Sequence, residues 1–121
     1  MTTKYRAVGD SVAYTNSTGS AITANSVVAM SHTLGVAVTD IANGETGTVA
    51  IEGVFTVPKA SAAVFAQGEK LIWDSSAGAF DDSSATPATG DITGGAIAAA
   101  AGANGETTCT VKLTPGNAAL A

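Results

Sequence analysis

Apolar and polar residues alternate most regularly between residues 34 and 59. Val36 and Val38 alternate with small residues, and Asn43-Gly44-Glu45 interrupts the pattern. Val49, Ile51, Phe55 and Val57 then alternate with Ala50, Glu52, Val54 and Thr56. A period of two over a short run is that of a strand with one buried face. Asn-Gly accepts the positive φ angles of a tight reversal. The segment therefore reads as a hairpin, or a corner between two strands, with Val49, Ile51, Phe55 and Val57 lining one buried face. Gly53 lies inside the run and marks the place where a bulge would shift its phase.

The same reading, extended along the chain, gives further short strands. Gly9-Asp10 opens one over residues 11–14; Ile22 begins an extended segment, and Val27, Val28 and Met30 form the next strand. Residues 70–74 (Lys-Leu-Ile-Trp-Asp) form a strand closed by a turn at 75–78, with Phe80 starting a return. Pro58 at the first position of residues 58–67 and Gly68 just past their end fit one or two helical turns. Residues 81–91 are polar and turn-rich, as expected of an exposed loop. Residues 96–101 favour helix by propensity, but flanking glycines and short length argue for a strand followed by a turn. Residues 111–113 close the fold, and 115–121 read as a small-residue tail.

A partial echo of the central segment lies near the C-terminus. Gly35-Val36-Ala37-Val38 matches Gly95-Ala96-Ile97-Ala98, and Ala42-Asn43-Gly44-Glu45-Thr46 matches Ala103-Asn104-Gly105-Glu106-Thr107. Two copies of a strand–turn–strand unit suggest a pseudo-symmetric small barrel or sandwich; the alternative is a common turn sequence used twice by chance. The expected fold is all-β, with a short helix. Residues 1–8 carry no alternation and read as a flexible N-terminal arm, leaving residues 9–121 as a single β-rich domain.

Composition narrows the function. Only 12% of residues are charged, about half the usual share, and aromatics are 5%, so the core rests on Ala, Val and Ile. Such side chains bury little area each, which makes a monomer marginal and oligomerisation the natural remedy; a solvated, Ser/Thr/Asn-rich monomer is the alternative. The net charge is −5, and the five cations are scattered apart from Lys4 and Arg6. Nucleic-acid binding needs clustered Lys and Arg, so nucleic acid is not an expected partner. No run approaches the roughly 20 apolar residues of a spanning helix, and no secretory h-region is present at the N-terminus. A membrane is not an expected partner either.

Candidate chemistry is sparse. His32 is the sole histidine and Cys109 the sole cysteine, so neither a multi-histidine zinc site nor an internal disulfide can form. Cys109 shares a strand face with Val111 and Leu113 and reads as core. Asp81-Asp82 lacks the spacing of a calcium loop. No Gly-x-Ser-x-Gly elbow and no Gly-Lys-Ser/Thr phosphate loop occurs. The chain is not expected to be an enzyme, and no catalytic residue, metal site or cofactor is assigned. Trp73 and Tyr14 are the remaining candidates, as sugar-stacking platforms; Trp73 shares a face with Leu71, which favours packing.

Several weak motifs recur in a specific order: Gly9-Asp10-Ser11-Val12, Asp40-Ile41-Ala42-Asn43-Gly44-Glu45, Gly53-Val54-Phe55-Thr56-Val57-Pro58, Gly68-Glu69-Lys70-Leu71-Ile72-Trp73 and Val111-Lys112-Leu113. In this the chain resembles the capsid cement, or head-decoration, proteins of tailed phages; some members carry a recombinase-like label, and the missing phosphate loop argues against carrying it over to this chain. The resemblance implies a β-rich homotrimer made in the host bacterial cytoplasm. It would sit on the outer surface of a phage or prophage head at local three-fold axes, bound to the major capsid protein and stabilising the mature lattice. Lys4, Tyr5 and Arg6 in the arm are the candidate capsid-binding residues, two of five cations and an aromatic before the first strand; a frayed terminus, or an edge strand that helps the trimer, is the alternative. A host-surface or glycan-binding adhesion module is the competing reading.

Overall fold

The structure, a computed structural model, describes residues 3–121. Met1 and Thr2, the first residues of the expected arm, lie outside the described residues. The described residues form ten strands: β1 (Ser11–Thr15), β2 (Val27–Ala29), β3 (Leu34–Ala37), β4 (Thr46–Ala50), β5 (Val54–Pro58), β6 (Lys70–Asp74), β7 (Ala79–Asp81), β8 (Ile92–Ala98), β9 (Thr108–Leu113) and β10 (Ala119–Leu120). They form two antiparallel sheets, ordered β1-β4-β3-β2 and β5-β9-β8-β6-β7, with β10 added beside β8. The arrangement is an open sandwich rather than a closed barrel.

The repeat is larger than the echo in the sequence. Replacing β1, β2, β3 and β4 by β5, β6, β8 and β9 turns the order of the first sheet into that of the second. Each half also has one isolated bridge between its two connecting segments, Ile22 with Ile41 in the first and Phe65 with Gly102 in the second. All four bridge residues are followed at once by a four-residue turn. In residues 42–45 and 103–106 the Glu45 and Glu106 N–H groups donate to Ala42 and Ala103 at 3.0 and 3.3 Å. Gly44 and Gly105 take φ of 85° and 93° there, the positive value that the third residue of a type II turn requires. Residues 23–26 and 66–69 close in the same way, at 3.2 Å each. The strand β7 and the terminal β10 are additions confined to the second half.

Packing explains why the two halves differ in solidity. The larger core cluster draws on the second sheet and takes only Leu34 and Val36 from β3 among its fully packed members. The first half keeps a small cluster of its own, Val28, Ala37, Ile41 and Val49. Strand β3 thus faces the second sheet with one side and this small cluster with the other, and all four of its residues are buried.

Four expectations are corrected. Val49, Ile51, Phe55 and Val57 do not line one face: Gly53, at φ 129°, carries the chain from one sheet to the other. Val49 and Val57 consequently fall in different clusters, and Ile51 and Phe55 are only half-buried. The helical turns expected over residues 58–67 are absent. Pro58 ends β5 opposite Thr108, and the Lys59 and Ala60 N–H groups donate to Thr107 and Phe80. Those donors are committed to sheet contacts, and a segment this short cannot sustain a helix alone. The one helical element among the described residues is a 3-10 turn at Pro115–Asn117. Residues 115–121 are not a loose tail, because β10 pairs Ala119 with Thr93 and Leu120 with Ile92. In the 81–91 loop, Asp91 is buried: its carboxylate accepts from the Ser75 and Ala88 N–H groups at 3.1 and 2.9 Å.

Candidate attachment surface

The candidate residues Lys4, Tyr5 and Arg6 lie in a segment that belongs to no strand. Residues 3–10 are all exposed, with Tyr5 82% and Val8 83% accessible. The physical reason lies where the segment joins the sheet. The Asp10 carbonyl still accepts from the Ile51 N–H at 2.9 Å, but beyond that point β4 has ended and the chain turns toward β5. An N-terminal continuation of β1 therefore has no neighbour to pair with. It leaves the body from an edge strand, since among the described residues β1 borders only β4. Of the five cations, Lys59 is buried, so Lys4 and Arg6 are two of the four that solvent or a partner can reach.

Lys59 is a residue whose place the sequence did not reveal. It directly follows the first strand of the second half, as Asn16 follows the first strand of the first. Both are buried, at 4% and 0% accessibility, and both N–H groups donate across to the last strand's approach, Asn16 to Glu45 and Lys59 to Thr107, at 2.8 Å. The Asn16 side chain donates to the Ser20 and Ile41 carbonyls at 2.8 and 2.9 Å and accepts from Thr18 N–H and Oγ1 at 3.0 and 2.7 Å. That uses all four of its hydrogen-bonding positions. Lys59 Nζ donates to the carbonyls of Ala60, Ser61 and Glu106 at 2.9, 3.4 and 3.3 Å and lies 5.9 Å from the centre of the Phe65 ring. Each residue ties loop backbone together inside its half. No local signal in the sequence sets either apart: each is a polar residue directly after a strand.

The other candidates resolve into packing or solvated loop. Trp73 is 7% accessible and meets Phe80 edge-on at 5.0 Å between ring centres, so its face is closed to a sugar. Tyr14 is half-buried against the small cluster of the first half. Cys109 is buried in the larger core, and burial pushes its thiol up to about 11, far from a reactive thiolate at neutral pH. His32 is exposed in the reversal between β2 and β3. Asp82 caps its own loop, accepting from the Ser84 hydroxyl and N–H. Among the described residues no three His, Cys, Asp or Glu side chains are grouped to hold a metal ion, and no helix is long and apolar enough to cross a membrane. An open cleft of about 300 Å³ lies beside the irregular register of β6 and β8, lined by Lys70, Leu71, Ile72, Ala85, Pro87 and Thr93 among others.

Comparison with known proteins points one way. A family described as phage cement protein matches residues 7–113, which is both halves from just before β1 to the end of β9. The matched stretch begins after Lys4, Tyr5 and Arg6. No curated protein matches the chain.

Proposed function

The chain belongs to the phage cement protein family, and from that membership we propose that it decorates the outside of a phage or prophage head and stabilises the mature capsid lattice. Its class is structural, a component of the virion capsid. The finer reading is a homotrimer placed at local three-fold axes, each copy bridging neighbouring major capsid subunits. The body, residues 9–121, carries the fold, and the arm, residues 1–8, reaches for the capsid with Lys4, Tyr5 and Arg6. Synthesis takes place in the host bacterial cytoplasm.

The family match over both halves is the observation that carries this reading. Physical features support it. An acidic, sparsely charged protein has no means of gripping DNA, which suits an outer position. Val12, Val38, Val54 and Val64 are 42% to 60% accessible, apolar side chains available to a contact between copies or with a shell. A protein that binds only the assembled lattice stabilises it by mass action, and many symmetric copies add avidity.

The test is addition of purified protein to heads that lack it. Saturable binding at a fixed ratio to the major capsid protein, with heads that resist heat or chelation better once decorated, is the expected result. Light scattering of the free protein should give three times the chain mass. Heads that bind none, or that bind it without gain in resistance, would overturn the cement reading; a monomer that still stabilises heads would overturn only the trimer.

A further inference from the structure

The pentapeptide Ala-Asn-Gly-Glu-Thr occurs twice, at residues 42–46 and 103–107, in corresponding turns of the two halves. Asparagine before glycine is the most reactive setting for loss of a side-chain amide, because glycine places no side chain in the path of its own backbone nitrogen. Both Asn-Gly steps are exposed. In both, the glycine N–H is engaged equally: Gly44 donates to the Asn16 carbonyl and Gly105 to the Ser61 carbonyl, each at 2.7 Å. The sequence, the turn and the length of the bond on the attacking nitrogen are thus the same.

The asparagine side chains differ. Asn43 Oδ1 accepts from the Gly19 N–H at 3.0 Å, which holds the amide against the 16–20 turn. Among the described residues no hydrogen bond holds the Asn104 side chain. The carbonyl acceptors differ as well: Asn16 is wholly buried, whereas Ser61 sits in an exposed turn.

We propose that Asn104 is a site of spontaneous deamidation and isoaspartate formation, and that the Gly19 contact slows the same reaction at Asn43. The Gly105 backbone nitrogen, giving its proton to solvent base, bonds to Asn104 Cγ. The bond from Cγ to the side-chain nitrogen breaks, and that nitrogen leaves as ammonia after taking up a proton. Water then opens the five-membered imide at either carbonyl, leaving an aspartyl or an isoaspartyl residue at position 104. Either product adds a negative charge beside Glu106. The isoaspartyl product also lengthens the backbone by one methylene inside a turn where Glu106 Oε1 accepts from the Ala103 N–H at 2.6 Å and the Glu106 carbonyl receives Lys59. The reaction therefore loosens the point at which the buried lysine of the second half is tied down.

Because the two pentapeptides are identical, the chain contains its own control. The protein is incubated at mildly alkaline pH, folded and in urea, and each peptide is mapped by mass spectrometry with enzymatic labelling of isoaspartate. The readout is the ratio of the rate at Asn104 to that at Asn43, divided by the same ratio in urea. The expected quotient is roughly two to ten, the factor one net hydrogen bond is worth. A quotient of one or less overturns the proposal. Asn104→Gln, which cyclises far more slowly, should hold its Tm through an incubation that lowers that of the unsubstituted protein; equal decline in both would overturn the structural consequence.

Discussion

The Leu34 side chain rests on the bare backbone of Gly95: a Cβ at residue 95 would lie 2.8 Å from Leu34 Cδ1 and 3.0 Å from its Cγ. Leu34 belongs to β3 of the first sheet and Gly95 to β8 of the second, so this contact is where the two halves close on each other. Leucine fills the space that the missing side chain leaves.

Gly95→Ala should consequently destabilise the protein by about 1–3 kcal/mol, the usual cost of overpacking. Gly116→Ala is the matched control, since nothing lies within 4 Å of a Cβ there, and its effect should stay within about 0.5 kcal/mol. Urea denaturation midpoints measure both. Combining Gly95→Ala with Leu34→Val should recover part of the loss, because removing a methylene relieves the collision; a double variant no better than additive would show that the strain lies elsewhere.

Lys59→Met should cost about 1–3 kcal/mol, because three carbonyls lose the donor that gathers them and part of the site stays dry. Methionine keeps the length and the apolar stem, so lost packing is small. Lys112→Met removes an exposed cation and should fall within about 0.5 kcal/mol of the parent. Equal effects in thermal melts would mean that the buried ammonium contributes charge but no architecture.

The strand pattern was legible because alternation is local. Residues 70–74 and the return at Phe80 stand where the sequence placed them, and Trp73 and Cys109 are in the core. The turn at Asn43-Gly44 and its echo at Asn104-Gly105 were readable because positive φ demands particular residues. The full duplication was hidden because β7 and the 82–91 loop are inserted between β6 and β8, which destroys any constant spacing. The buried face of residues 49–57 was misread for a different reason. Periodicity records which side of a strand faces inward, but a strand that changes sheets at Gly53 faces two interiors in turn. Lys59 and Asp91 were missed because a charged residue held by backbone groups leaves no partner of opposite sign in the sequence.

Acid should weaken the protein through its loop carboxylates. The Ser83 N–H and hydroxyl hold Glu69 below its ordinary range, as the Ser76 hydroxyl does for Asp74 and the Ser84 hydroxyl for Asp82. A carboxylate harder to protonate when folded stabilises the fold in full above its unfolded pKa, about 4, and loses that contribution as pH falls through the lower folded value. Urea midpoints should thus be level from pH 7 to 5 and decline below pH 4. Ser83→Ala should shallow that decline by removing one of the bonds to Glu69; an unchanged slope would place the acid sensitivity at other groups.

Deleting residues 2–7 should separate attachment from folding. Residues 3–8 join no strand, and among the described residues engagement with the sheet starts at Asp10, whose carbonyl accepts from the Ile51 N–H. The truncated protein should therefore keep its oligomer mass and its Tm. If the arm is the attachment element, occupancy on heads lacking the native protein should fall, with Tyr5→Ala reproducing much of the loss, since an exposed aromatic that becomes buried is the kind of residue that dominates an interface. Lys4→Gln with Arg6→Gln should instead make binding less sensitive to salt, because those side chains would act through charge. A truncated protein that decorates heads as tightly as the full chain would move attachment to the body, to the residues the family match covers. A truncated protein that no longer assembles would show that the arm crosses between copies, and its exposure in the single chain would then be the mark of a contact within the oligomer.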